Sequence, residues 1–132
     1  MTYFSYPSYE AVRQAHAKII EATGGHAGMI TSSNLKYILE AVQDIGEEFS
    51  EESSIRKKAA YLMYNIVVSH PFLDGNKRSA FEVTRRFLEL NYWIFNPAQE
   101  ESFEKLVGMA SGRLKQDDVE EWIGMNLRPR GV

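Results

Sequence analysis

The stretch IRKKAAYLMYNIVVSHPFLDGNKRSAFEVTRRFLELN, residues 55–91, decides the fold. In its first half Ile55, Ala59, Leu62, Met63, Ile66 and Val67 recur at three- and four-residue intervals, which makes one wide apolar face of a helix. In its second half Ala80, Val83, Thr84, Phe87 and Leu88 do the same. Between them, Pro71 disfavours helical geometry at His70, so the first helix is expected to end near Ser69. Ser53 or Ser54 can cap that helix at its start. The second is expected to begin at Gly75 or Asn76 and to run to Leu90, with Asn91 ending it. Two broad apolar helices joined by a tight turn define a helical core.

Working outward, Tyr9, Val12, His16, Ile19 and Ile20 share one face of a predicted helix from Ser8 to Ala22, stopped by Thr23-Gly24-Gly25. A glycine-rich loop leads to Met29. Thr31, Ser32 or Ser33 can cap the next helix, whose buried stripe is Leu35, Ile38, Leu39 and Val42. The acidic run from Asp44 to Glu52, interrupted by Gly46, reads as an exposed loop and is where a small β-hairpin is expected, if any forms. Tyr92 to Phe95 reads as a short extended segment before Pro97. One later helix presents Phe103, Leu106, Val107 and Ala110 and closes at Gly112; another, started by Asp117 or Asp118, presents Val119, Trp122 and Ile123. The expectation is an all-α fold: one compact domain over residues 1–132, a bundle of about six helices with at most a minor β-hairpin.

At 132 residues, 44% hydrophobic and 25% charged, the chain is of ordinary single-domain size and composition. A net charge of −3 argues against a broad nucleic-acid surface, which needs clustered positive charge. With no cysteine, disulfides, thiolate catalysis and Cys-based zinc sites are excluded. No apolar run approaches the ~20 residues of a membrane span, and Met1 to Pro7 has no signal-peptide pattern. A cytoplasmic location is expected.

Chemistry concentrates at residues 70–78, His-Pro-Phe-Leu-Asp-Gly-Asn-Lys-Arg. The start of the second core helix offers free N–H groups and the positive end of its dipole, both of which favour an anion. Gly75 leaves room for a phosphate. Lys77 and Arg78 lie in the first helical turn, where a cation is disfavoured by ~0.3–1 kcal/mol. They therefore make a poor surface and a good phosphate site; the alternative is that they face water or pair with Asp74. Asp74 suits two roles, a helix N-cap or a Mg²⁺ ligand. Asn76 can donate to a phosphate oxygen or form a local turn hydrogen bond. His70 can accept a proton from an attacking hydroxyl near neutral pH. Phe72 is expected to point inward as an anchor. Of the other two histidines, His16 reads as a hydrogen-bonded core group and His26 as a loop residue; the three lack the spacing of a metal site.

Residues 70–78 resemble the signature of the Fic/Doc (Fido) superfamily, which has a histidine, a phenylalanine, an acid, a small residue, an asparagine and an arginine. The stretches 16–28, 35–41, 59–91 and 100–122 are also similar, so the resemblance spans the chain. Lys77, where typical Fic adenylyltransferases have glycine, and Phe81, where they have a second arginine, favour the Doc (death on curing) toxin branch. That branch implies transfer of the γ-phosphate of ATP to a protein Ser or Thr hydroxyl, with elongation factor Tu as the known target of Doc, and arrest of translation. The other outcomes are AMP or another NMP transfer, and a catalytically silent binding module. The resemblance implies His70 as general base, Asp74 as Mg²⁺ ligand, Gly75 and Asn76 as anion hole, and Lys77 and Arg78 as phosphate ligands, with ATP and Mg²⁺ as cofactors. No Ser/Thr-x-x-x-Glu-Gly/Asn inhibitory pattern occurs in these residues, so control by a separate antitoxin chain is implied. The 44–53 loop would take the place of the family's target-aligning flap.

Overall fold

The computed structural model describes residues 3–30 and 32–131. Six α-helices appear in order: α1 (Tyr9–Thr23), α2 (Ser32–Ala41), α3 (Glu51–Ser69), α4 (Asn76–Leu90), α5 (Gln99–Ala110) and α6 (Gln116–Met125). Helix α3 is the axis, and α2, α4, α5 and α6 all pack on it. Ile55, Ala59, Leu62, Met63, Ile66 and Val67 are all fully buried, as their spacing requires. The all-α class holds. Among the described residues, no helix is long and apolar enough to cross a membrane.

The extended segment read at Tyr92 to Phe95 contains a strand, but its partner comes from residues 127–129 and not from a hairpin at 44–53. Strands β1 (Trp93–Phe95) and β2 (Leu127–Pro129) pair antiparallel, Trp93 opposite Pro129 and Phe95 opposite Leu127. The 44–53 segment forms no hairpin. A 3-10 turn at Val42–Asp44 closes α2, and α3 begins earlier than expected, capped by Ser50 rather than Ser53 or Ser54. Glu51 and Glu52 occupy the first turn of α3, where the helix dipole favours carboxylates; acidity that reads as a loop extends the helix instead. Thr31, one of the candidate caps of α2, lies outside the described residues.

Three side chains reverse their expected placement. Phe103, Val107 and Ala110 of α5 face outward, and Ser102, Leu106 and Met109 form the buried side. The close approach of the α5–α6 turn sets this orientation: a Cβ on Gly108 would lie 2.7 Å from Leu114 Cδ1. In contrast, Lys58 is fully buried on the apolar face of α3. Its ammonium donates to Val42 O at 3.1 Å and Gln43 O at 2.9 Å, where α2 ends. It also pairs with Glu47 Oε2 at 3.2 Å and lies over the rings of Phe4 and Tyr6. A cation at the carbonyl end of a helix is favoured twice, by hydrogen bonding and by the dipole.

Candidate active site

The turn between α3 and α4 is held from three directions. At its start His70 ends α3 in the left-handed region, φ 47° and ψ 61°. This conformation is uncommon for a residue with a side chain, and such outliers gather at functional sites. The His70 side chain is exposed. Pro71 and Phe72 are buried next to it. Phe72 is the anchor the sequence implied, at 1% exposure.

Asn76 clamps the turn from within. Its Oδ1 accepts from Phe72 N at 3.0 Å and its Nδ2 donates to Phe72 O at 2.8 Å. The turn hydrogen bond, one of the two roles open in the sequence, is thus present twice, and one amide hydrogen remains for a ligand.

The third hold comes from α1 and the loop after it. Ile30 N donates to Pro71 O at 2.9 Å and Leu73 N to Gly28 O at 3.0 Å, bridging Met29 to Phe72. The strip running alongside the site is therefore 28–30, not the 44–53 loop, which lies at the far end of α3 from His70. The His26 amide donates to Asp74 Oδ2 at 2.9 Å, and His16 Nε2 is hydrogen-bonded to Asp74 O at 2.7 Å. His16 is a buried, hydrogen-bonded histidine as expected, but its partner is the site itself.

These contacts settle what starts α4. Asp74 is not the N-cap: its carboxylate turns to the His26 amide, and Gly75, with φ 76° and ψ 20°, is the cap and accepts no side-chain substitute. The first α4 bond is Ser79 N to Gly75 O at 2.9 Å. Among the described residues, the N–H groups of 75–78 have no acceptor. A left-handed glycine leading into right-handed residues is the backbone concavity that binds anions. A Cβ on Gly75 would meet Ile20 Cδ1 at 3.1 Å and add strain at that positive φ.

The charges follow the same logic. Lys77 and Arg78 are exposed and, among the described residues, neither forms an ion pair, with Asp74 or with anything else. The next two arginines are occupied. Arg85 pairs with Glu82 at 2.7 Å and with Glu89, and Arg86 with Glu82 at 2.9 Å. The Glu82 carboxyl is held below its usual range: burial raises it, but hydrogen bonds and charge from Arg85 and Arg86 outweigh that. Phe81 packs on Phe95, ring centroids 5.6 Å apart, so position 81 supplies core contact and no guanidinium. A groove of about 690 Å³ opens beside Arg78, walled by Ile19, Phe81, Pro97, Phe103 and Leu106.

Among the described residues, no group of three or more histidines and acids is positioned to hold a metal. Asp74 is the carboxylate of this turn that would hold Mg²⁺: one oxygen accepts from the His26 amide and, among the described residues, the other has no hydrogen-bond partner. Magnesium accepts this when phosphate oxygens and water complete its shell.

The site is thus a turn after a histidine, at an uncapped, cation-flanked helix start, set in an all-α fold. The sequence model of the Fic/DOC family matches residues 6–88, which contain the turn at 70–78, and the chain belongs to that family. It is similar to the protein adenylyltransferase fic-1 of Caenorhabditis elegans, with 34% identity over 65 residues, 46% of this chain and 13% of that protein. The chain thus spans a small part of the length of that relative. Family membership supports a transferase.

Proposed function

We propose that this chain transfers the γ-phosphate of ATP to a Ser or Thr hydroxyl of a protein target, as a toxin restrained by a separate antitoxin chain. The observation that carries the nucleotide reading is the start of α4: four consecutive N–H groups that, among the described residues, have no acceptor, beside two cations that there form no ion pair. The apolar groove beside Arg78 offers a wall for a nucleoside base. Lys77 and the inward Phe81 favour phosphate over nucleotide transfer, since the second arginine associated with AMP transfer has no substitute in register. A translation factor such as elongation factor Tu is the target that the Doc resemblance favours, and cytoplasmic action goes with it.

In this mechanism His70 accepts the proton of the target hydroxyl as its oxygen attacks the γ-phosphorus. The bond to the β–γ bridging oxygen breaks and ADP leaves. The N–H groups of 75–78, with Lys77 and Arg78, hold the phosphates; Asn76 keeps the turn rigid. Mg²⁺ held by Asp74 would neutralise phosphate charge. Positioning and electrostatics supply most of the catalysis such a transfer needs.

AMP transfer is the second reading, favoured by the similarity to an adenylyltransferase. Mass spectrometry of lysate proteins incubated with the enzyme, ATP and Mg²⁺ separates the two. The expected gain is one phosphate per modified site; a gain of AMP replaces the first reading with the second.

Arg78→Ala is expected to weaken ATP binding by ~1–3 kcal/mol in calorimetry, the range of a charge-assisted contact. Unchanged affinity would remove Arg78 from the site.

A further inference from the structure

The transfer chemistry makes no use of His16, yet this side chain touches the site turn at two points and lies against Gly75. It is 4% exposed on α1. Its ring lies nearly parallel to that of Phe72, with centroids 3.7 Å apart and planes 6° from each other. Its Nε2 is 2.7 Å from the Asp74 carbonyl oxygen. A Cβ on Gly75 would come within 3.6 Å of its Cδ2 and Nε2. A carbonyl oxygen only accepts, so Nε2 carries a proton and donates.

The consequence lies in the peptide joining Asp74 to Gly75. It is trans, since no cis bond occurs among the described residues, and in a trans peptide the C=O and N–H point in opposite directions. Holding the carbonyl on His16 therefore turns the Gly75 N–H away from α1. That N–H is the first of the four that lack an acceptor. A flip of this peptide would reverse the dipole, presenting a carbonyl oxygen where the anion site needs a donor. Glycine at 75 leaves its own φ free to accommodate either arrangement.

We propose that His16 is a positioning residue that locks the Asp74–Gly75 peptide in its donor-outward orientation and so completes the anion hole of α4. The role rests on the nucleotide reading of the site. It also separates two properties of the imidazole. The flat ring packs on Phe72; the Nε2–H orients the peptide. Only the second is assigned to ligand binding.

The test divides them. His16→Phe keeps a flat ring against Phe72 and loses the donor. His16→Gln keeps an N–H at similar reach and loses the ring. ATP affinity is measured by calorimetry on the whole chain, with circular dichroism and melting curves recorded for each variant. His16→Phe is expected to bind ATP at least about tenfold more weakly, and His16→Gln within about threefold of the unsubstituted protein. A packing role gives the reverse order, so strong binding by His16→Phe with weak binding by His16→Gln overturns the proposal, as does equal affinity in all three. Should His16→Phe not fold, His16→Leu fills the space without a donor and carries the same expectation. Failure of the nucleotide reading shows differently: the unsubstituted protein would not bind ATP at all, and this role would fall with it.

Discussion

His70→Ala is expected to lower target modification by about 10²–10⁴-fold, the range contributed by a positioned general base. ATP affinity should change little, because the phosphate ligands proposed above lie at 75–78. Stability should hold or fall slightly, since His70 is exposed but alanine, like histidine, bears a Cβ at φ 47° and pays the same backbone cost. His70→Gly therefore makes a sharp companion: it relieves the backbone, removes the imidazole, and should be as inactive as the alanine variant with a higher melting temperature. The measurement is initial-rate transfer from labelled ATP alongside a thermal melt. If modification or growth arrest is unchanged in His70→Ala, the chain acts as a binding module and not as an enzyme.

The largest effect on stability is expected at the opposite end of α3. Lys58→Met keeps most of the side-chain volume but leaves the carbonyls of Val42 and Gln43 without their ammonium donor. A buried group so stranded costs about 1–3 kcal/mol; Val42 O is buried and Gln43 O half-buried, which places the substitution at about 2–4 kcal/mol. Little of that comes from the pair with Glu47, whose side chain is 51% exposed. At this chain length the loss corresponds to a fall in melting temperature on the order of 10 °C. Arg13→Ala breaks the exposed pair with Glu10 and serves as the control, with an expected effect below about 0.5 kcal/mol. Equal melting temperatures for Lys58→Met and the unsubstituted protein would show that water replaces the ammonium at the end of α2. Lys58 lies 12 residues before His70, about 18 Å along the helix, so ATP affinity below the transition should be unaffected.

The central helices were legible because period-3.6 burial is a property of sequence alone: the residues spaced for one face of α3 are the ones buried. Lys58 shows the limit of that reading. It falls on the same face, but a charged residue is assigned to the surface unless its partners are visible, and those partners are backbone carbonyls 15 and 16 residues away. The strand pairing of 93–95 with 127–129 was illegible for a related reason, since nothing in either three-residue segment names the other. Phe103 and Val107 misled because α5 turns on the contact of Gly108 with the α5–α6 turn.

At the site, the identity of the chemical groups came from the sequence and their arrangement came from the fold. Residues 70–78 alone carry a histidine, an acid, a glycine and two cations at a helix start, and local rules of helix termination are enough to propose an anion site there. Whether Asp74 caps the helix, whether Lys77 and Arg78 are paired, and what Asn76 holds were open, since each depends on contacts that compete within a few ångströms. Tertiary structure decided them. His26 takes the Asp74 carboxylate, Asn76 closes on Phe72, and His16, 58 residues before Asp74, fixes the peptide that opens α4. The physical reason is the range of the interactions: helix periodicity and capping act over a few residues, whereas the orientation of one peptide bond is set by whichever donor the packed fold brings within hydrogen-bond reach.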